Sequence, residues 1–361
     1  MSDDATKLLT AITALSHEFG GPEFVKGGGG NTSCKTAETL WIKPSGTTLA
    51  SLAPDRFVAM DRAKLGLLFK LAIPSDPARR ESAVKDVMAA AVRPAGAGRP
   101  SVESPLHDLL RSRFVVHTHS VLVNGMTCAQ DGEAVCRRLF PDALWVPYVD
   151  PGFTLCLDAH RRIADYRQQA GRDPAVVVLE NHGVFVSGDT PEEIRSRYAH
   201  LQDTLAAAYA AAGVPTALRY GTPTLTEESI ELAGILQDLL GDDARAVVSS
   251  APFAVADGPL TPDHIVYSKA FAYQGPLHAD ALTAFRHEHG YAPRVIATRV
   301  GVFGLGATPK VAQLALELAQ DGARVRQLTA AFGGVRYLSV AARVFIENWE
   351  VEAYRAQQLS S

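Results

Sequence analysis

The sequence predicts an α/β fold, and three observations lead to that class. Residues 114–116 and 175–179 are short runs of apolar, mostly β-branched residues, which are typical of buried strands. Residues 5–19 carry leucine and isoleucine at helical spacing, and further helical segments alternate with short strands. After Tyr220 a similar order begins again, so we expect a first domain over residues 1–215 and a smaller α/β unit over 220–361.

Length and composition narrow the class of protein. The chain has 361 residues, of which 47% are hydrophobic, enough for a full buried core. A net charge of -4 gives no general electrostatic reason to bind nucleic acid or an anionic membrane. There is no CxxC pair, no basic and apolar leader at the start, and no apolar run long enough for a bilayer. We therefore expect a soluble, reduced, cytoplasmic protein.

The remaining elements follow the same reasoning along the chain. In the first domain we expect strands at 39–43, 57–60 and 184–187, helices at 121–140, 156–170 and 190–212, and an irregular crossing at 145–153. In the second we expect helices at 226–240, 279–289, 308–321 and near 335–358, with one strand at 294–303. Glycines at 301, 304 and 306 resemble a dinucleotide-binding loop, but Pro309 stands where the third glycine would fall, which argues against nucleotide binding.

Three histidines point to a metal site. His117 and His119 are two residues apart in a predicted strand over 114–120, so their side chains share a face. His182 follows the second strand run, where Gly183 permits a sharp turn. Such a pair of histidines alone is more often packed in a core, but three histidines with one open position are typical of catalytic zinc. Imidazole also suits Mn²⁺, Co²⁺ and Fe²⁺.

Glu103 is the candidate catalytic base. Ser104 before Pro105 is typical of a helix start, which leaves Glu103 just outside the helix on the loop that faces the metal strand. A lone glutamate on a loop is more often a solvated acid, so its role depends on the histidines beside it. Partial desolvation would raise its pKa toward neutrality, as general base catalysis requires.

Two polar segments are candidates for holding an oxyanion. One is the glycine run 27–30 with the residues after it, and the other lies at 45–47, so that both flank one short strand pair. Backbone N–H groups and small hydroxyls in such segments suit phosphate or carboxylate. A flexible loop is the alternative for each segment taken alone. The candidate substrate-binding residues are Asn31, Thr32, Lys43, Ser45, Gly46 and Ser101.

These motifs, taken together and in order, resemble one family. They are Gly-Gly-Asn31-Thr-Ser, Trp41-Ile-Lys-Pro-Ser-Gly46, Ser101-Val-Glu103 with His107, His117-Thr-His119-Ser, and Glu180-Asn-His182-Gly with Gly188. Their order is similar to that of the class II aldolase/adducin family, which includes fuculose-phosphate and rhamnulose-phosphate aldolases, 4-epimerases and dehydratases. Residues 145–153 look most like the aldolase part of bifunctional rhamnulose-phosphate aldolase/alcohol dehydrogenases.

The resemblance implies a specific architecture and chemistry. It implies a three-layer α/β/α domain around a mainly antiparallel sheet, and a homotetramer with active sites at subunit interfaces. It also implies zinc on His117, His119 and His182, with Glu103 as base. Two departures are Val102 and Gly28, which stand where the fuculose-phosphate enzyme has hydroxyl residues at the phosphate. No tyrosine lies between His119 and Tyr148, so the proton donor to the leaving aldehyde is unassigned.

The expected activity is zinc-dependent cleavage or formation of a C–C bond in a ketose, ketose phosphate or related hydroxy-keto substrate, through a metal-bound enediolate. The same scaffold also supports epimerase, dehydratase or decarboxylase reactions, because a fold does not fix the reaction. A non-catalytic, adducin-like interaction module is a further alternative. A full set of three histidines and a glutamate favours the enzyme.

Overall fold

The computed structural model describes residues 3–70, 76–222 and 226–349, and the chain forms two compact units. The first unit comprises Met1–Val123 and Glu133–Thr204, and the second comprises Asn124–Gly132 and Leu205–Ser361. The domain boundary expected between residues 215 and 220 stays a prediction. Each unit has its own sheet and its own buried core.

A large, mainly antiparallel sheet forms the centre of the first unit. Its strands are β1 (Asn31–Lys35), β2 (Thr39–Ile42), β3 (Val58–Asp61), β4 (Val92–Arg93), β5 (Phe114–Thr118), β6 (Leu144–Val146), β7 (Val176–Leu179) and β8 (Gly183–Gly188). They lie in the order β4-β3-β2-β1-β5-β8-β7-β6. Only β6 and β7 are parallel among these described strands.

Helices cover both faces of this sheet. The helices along residues 3–211 are α1 (Asp3–Glu18), α2 (Arg62–Leu65), α3 (Pro77–Ala91), α4 (Ser104–Leu109), α5 (Val121–Thr127), α6 (Gly132–Leu139), α7 (Phe153–Ala170) and α8 (Pro191–Ala211). On one face, Ser16 of α1 bonds Thr32, and the Tyr198 hydroxyl of α8 donates to the Val116 carbonyl. On the other face, apolar residues of α3, α4 and α7 pack on the sheet. The predicted three-layer α/β/α class is confirmed.

The second unit is a smaller α/β structure, also as predicted. Its strands are β9 (Ala246–Ser250), β10 (Val295–Ala297) and β11 (Val302–Gly306), in the antiparallel order β10-β11-β9. Its helices are α9 (Thr226–Leu240), α10 (Pro262–Ser268), α11 (Ala279–His289), α12 (Pro309–Thr329) and α13 (Val340–Asn348). Across the described ranges, no helix of either unit combines the length and apolarity needed to cross a bilayer.

Some predicted elements differ from those observed. The single strand expected at 294–303 is two antiparallel strands, because the Thr298 hydroxyl accepts from the Gly301 N–H at 3.2 Å and closes a turn. The helix expected at 121–140 is interrupted, since the Gln130 and Asp131 amides donate to carbonyls of Gly334 and Phe332. The helix expected near 335–358 is shorter at its start, and residues 350–361 lie outside the described ranges.

Gly304 lies within β11 and not in a phosphate-binding loop. Its function is to let the strand pack closely against a helix. A Cβ atom on Gly304 would lie 2.3 Å from the Ala312 carbonyl oxygen of α12. Real Cβ atoms do not approach backbone so closely, so glycine is required for this contact between strand and helix.

The substitution Gly304→Ala should destabilise the protein by about 1–3 kcal/mol or more, because the strand and helix must separate. Gly234→Ala is the matched control, since nothing lies within 4 Å of a Cβ there. In the α9 helix that control should stabilise by about 0.5–1 kcal/mol. Urea unfolding of both variants measures the difference, and equal stability would contradict the packing argument.

Candidate metal centre and active site

His117 lies on β5 and is fully buried. Its Nδ1 is 3.0 Å from the carbonyl oxygen of Val184 on β8, and its ring stacks on Phe185 with 4.0 Å between centroids. A ring nitrogen that faces a carbonyl oxygen must donate, so the proton sits on Nδ1 and Nε2 presents a lone pair. Burial holds the pKa of His117 well below its usual 6.5, which keeps the ring neutral.

His119 lies just beyond the end of β5, because that strand ends at Thr118. The prediction that the strand continues to residue 120 is therefore wrong at its last two positions. The His119 amide donates instead to the Phe24 carbonyl at 2.9 Å, which directs the chain away from the sheet. Its Nε2 nevertheless lies 3.0 Å from Nε2 of His117, so the two rings converge as the sequence predicts.

His182 occupies the tight turn between β7 and β8. Asn181 before it has a positive φ of 51°, which asparagine tolerates better than most residues. A Cβ atom on Gly183 would lie 2.3 Å from the Thr118 carbonyl oxygen and 3.0 Å from the His119 ring. Glycine therefore permits the approach that brings His182 beside His119.

The three imidazoles, here called the histidine cluster, form a group suited to a divalent ion. One ring nitrogen from each of His117, His119 and His182 lies within 4.8 Å of the others. Nitrogen ligands at 2.0–2.1 Å from a tetrahedral zinc are about 3.3 Å apart, close to the 3.0 Å between the two Nε2 atoms. The residues therefore fit a bound divalent metal.

Glu103 directly precedes α4 at its N-cap position, and its side chain lies against the histidine cluster. Its Oε1 is 3.5 Å from Nε2 of His117 and 3.6 Å from Nε2 of His182. Its Oε2 accepts a hydrogen bond from the side-chain amide of Asn31, and the residue is 5% exposed. The structure thus brings together a carboxylate and three imidazoles from three distant segments of the chain.

Ser101 shapes the turn that presents Glu103. Its hydroxyl accepts from the Glu103 amide at 3.3 Å, and its carbonyl accepts from both the amide and the hydroxyl of Ser104. Ser101 is 2% exposed, so this turn is held inside the protein. Among the predicted oxyanion residues, Asn31 and Ser101 therefore contact Glu103 directly.

Lys43, Ser45 and Gly46 follow β2 and lie beside the loop that precedes Ser101. The Ser45 amide donates to the Arg99 carbonyl at 2.9 Å, and Pro44 forms a backbone bridge with Pro100. Lys43 is 1% exposed, and its ammonium donates to the Gly28 carbonyl at 3.2 Å. This contact joins the glycine run to the residue that follows β2. A role in oxyanion binding stays a prediction for these residues.

Thr32 is a predicted substrate-binding residue, but its side chain does not lie beside Glu103 and the histidine cluster. Asn31, which pairs with His117 across β1 and β5, shares the face of the histidine. Thr32 is the next residue along the strand, so its side chain points to the opposite face. There its hydroxyl bonds Ser16 of α1 at 2.7 Å.

Sequence reasoning missed two supports of the histidine cluster. Phe185 braces the His117 ring, and the register of β5 against β8 places these two residues opposite each other. The Glu180 carboxylate accepts from the Tyr148 amide at 2.8 Å and so fixes the segment before His182. The strand pattern of residues 183–188 was enough to place Phe185 on one face of the sheet. Only the register of β8 against β5 places it opposite His117.

The fold and the site define a mixed α/β protein with a buried histidine group that fits a divalent ion. The chain belongs to the class II aldolase and adducin family, because the profile described as "Class II Aldolase and Adducin N-terminal domain" matches residues 10–209, more than half of it. A Bacillus subtilis (strain 168) protein named "Uncharacterized oxidoreductase YuxG" is 27% identical over 288 residues. That match covers 70% of this chain but only 39% of the relative, so the chain spans well under two thirds of that protein.

Solved structures with a similar fold include two aldolase-type proteins. The N-terminal class II aldolase domain of a conserved Thermoplasma acidophilum protein is 24% identical with a TM-score of 0.48, and the match covers 56% of this chain and 92% of that one. The L-fuculose-1-phosphate aldolase of Thermus thermophilus is 17% identical with a TM-score of 0.37, covering 57% and 96%.

His107 of α4 should make the stability of the protein acid-sensitive. Its ring is fully buried, its Nδ1 lies 2.8 Å from the Ser33 hydroxyl, and burial lowers its pKa from 6.5 to about 3. Between these two values the unfolded chain binds the proton and the folded chain does not. The stabilisation is therefore complete above pH 6.5 and is lost as the pH falls through about 3.

The variant His107→Gln removes the side chain that binds this proton in the unfolded chain. The slope of unfolding free energy against pH should therefore fall by up to about 1.4 kcal/mol per pH unit. Urea unfolding from pH 6.5 down to 4, with a chelator present throughout, measures that slope. His200→Gln changes an exposed histidine and controls for the loss of one imidazole. An unchanged slope in His107→Gln would show that the buried ring does not titrate as described.

Proposed function

We propose that the protein is a divalent-metal-dependent class II aldolase, a carbon–carbon lyase that acts on a ketose, ketose phosphate or related hydroxy-keto substrate. The position of Glu103 is the observation that carries this proposal. Its carboxylate oxygen lies within 3.6 Å of two ring nitrogens of the histidine cluster. A base next to an ion site is what proton transfer beside a carbonyl requires.

We assign the metal to the histidine cluster, with zinc as the expected ion and Mn²⁺, Co²⁺ or Fe²⁺ as alternatives. A divalent ion there supplies Lewis-acid chemistry, polarising a carbonyl group and stabilising the negative charge that develops on its oxygen. The protein prepares His117 for metal binding by fixing the tautomer of its ring. Val184 keeps the His117 proton on Nδ1, and burial keeps the ring neutral.

Glu103 transfers the proton at the carbon next to the substrate carbonyl. In the bond-forming direction Oε1 removes that proton, and in the bond-breaking direction the carboxylic acid returns it to the same carbon. Asn31 holds Oε2, so the carboxyl group keeps one orientation with Oε1 toward the imidazoles. Such orientation matters because the efficiency of proton transfer falls quickly with misplacement.

We propose that the segment with Lys43, Ser45 and Gly46, together with Ser101, holds an anionic or hydroxyl end of the substrate. The contact of residues 44–45 with residues 99–100 supports this, since it brings the segment with Ser45 beside the loop that leads to Ser101. Thr32 is left out, because its hydroxyl already bonds Ser16 on the other face. A homotetramer with active sites at subunit interfaces, and a cytoplasmic location, remain predictions from the sequence.

The test is the variant Glu103→Gln, which keeps the size of the side chain but removes the base. We expect metal content to persist and C–C cleavage to fall by about 10²–10⁴-fold. The assay incubates metal-loaded protein with a panel of ketoses and ketose 1-phosphates and detects aldehyde and short-ketone products. Glu133→Gln, which changes an exposed carboxylate paired with Arg137, is the control and should retain activity.

Three outcomes would overturn the proposal. Full cleavage activity in Glu103→Gln would remove Glu103 from the mechanism. Products with an intact carbon chain, such as an epimer or a dehydrated ketone, would replace the aldolase with an epimerase or dehydratase. Release of CO₂ would indicate a decarboxylase.

A further inference from the structure

One face of strand β1 holds the helix that carries Glu103. Three alternate residues of β1, at positions 31, 33 and 35, point to the same side of the sheet. Asn31 donates to the Glu103 carboxylate at the start of α4. Ser33 bonds the ring of His107 in the body of the helix at 2.8 Å, and Lys35 donates to carbonyls at its end. We call these three residues the β1 clamp.

Lys35 is an unusual member of this clamp because its side chain is almost fully buried, with 2% exposure. Its Nζ donates to the carbonyl oxygens of both His107 and Leu110. The last carbonyls of a helix have no partner within the helix, so a lysine at this position satisfies them and suits the helix dipole. A buried amine would be costly without these acceptors.

The helix needs such support because α4 has only six residues. A helix of this length gains little from its own hydrogen bonds and depends on tertiary contacts for its direction. Its N-terminal end sets the position of Glu103. Its C-terminal end is set by Lys35, so a change there can tilt the helix and move the carboxylate.

We propose that Lys35 is a positioning residue for Glu103, which acts through α4 and sets the distance between the carboxylate and the histidine cluster. This inference rests on the proposed role of Glu103 as the base. It adds a residue that touches neither the substrate nor the metal. The register supports it, since Asn31 of the clamp pairs with His117, so β1 adjoins both the histidine strand and the glutamate helix.

The charges around Lys35 are consistent with a hydrogen-bonding role for its amine. Burial lowers the pKa of Lys35 from 10.5 to about 7, against the opposing effect of Asp108, while Arg62 lowers it further and Cys34 and Asp173 raise it. An ammonium group has three N–H donors and a neutral amine has two. Both forms can therefore supply the two bonds to α4, and the clamp persists on either side of pH 7.

The experiment compares Lys35→Met, which fills the same space without donors, with the matched variant Lys64→Met. Lys64 also donates to a carbonyl near a helix end, that of Ala90 in α3, but it is exposed and belongs to no part of the proposed site. Three quantities are measured for each variant: metal content, kcat and KM for cleavage, and hydrogen exchange of the His107 amide. That amide bonds the Glu103 carbonyl and reports whether α4 opens.

For Lys35→Met we expect kcat to fall by about 10–100-fold with KM and metal content nearly unchanged, because only the base is displaced. In metal-free Lys35→Met, exchange at the His107 amide should become faster. Lys64→Met should leave both kcat and this exchange rate unchanged. Lys35→Gln, which restores amide donors, should recover part of kcat.

The proposal is overturned if Lys35→Met keeps the wild-type kcat, or if exchange at His107 is unchanged. Loss of metal together with activity would also overturn it, since that pattern indicates collapse of the whole site. Failure of the proposed function looks different. In that case the wild-type protein has no lyase activity, or Glu103→Gln is fully active, while the exchange experiment still reports on the clamp.

Discussion

The structure depends on the convergence of imidazole nitrogens inside the protein beside one carboxylate. Nε2 atoms of two histidines lie 3.0 Å apart, and the carboxylate oxygen lies 3.5 Å from one of them. Two ring nitrogens this close have either a shared proton or a cation between them, and with three imidazoles and a carboxylate around one point the arrangement fits a divalent ion. Burial, the fixed tautomer of His117 and the stacked Phe185 all serve to hold this geometry.

Strand pairing explains how distant segments meet. β5 lies between β1 and β8, so His117 has Asn31 on one side and Phe185 on the other. The first neighbour orients the Glu103 carboxylate, and the second supports the histidine ring. The turn before β8 adds His182. One central strand and its two partners therefore organise the whole group, while the helices supply Glu103 and the packing around it.

Much of this site follows from sequence because its signals are local. Two histidines two residues apart, a glycine directly after His182, and a Ser-Pro helix start after Glu103 each predict a conformation over a few residues. Their convergence became predictable only through their joint order, which resembles a family. The α/β class and the smaller second unit follow from apolar periodicity in the same way.

Other features depend on contacts that no local pattern encodes. Thr32 looked equivalent to Asn31, but the alternation of the strand turns its hydroxyl toward Ser16 of α1. The support of α4 by Lys35 joins residues more than seventy positions apart, and a buried lysine contradicts the usual expectation for that residue. The split of the strand at 294–303 was missed because Thr298 closes a turn through its hydroxyl.

X-ray absorption spectroscopy of the metal-loaded protein shows whether the histidine cluster holds the ion, because it reports the ligands of the ion without reference to any substrate. We expect one divalent ion per chain with three imidazole nitrogens at about 2.0–2.1 Å and no sulfur ligand. A sulfur scatterer near about 2.3 Å, or an ion without imidazole ligands, would contradict it.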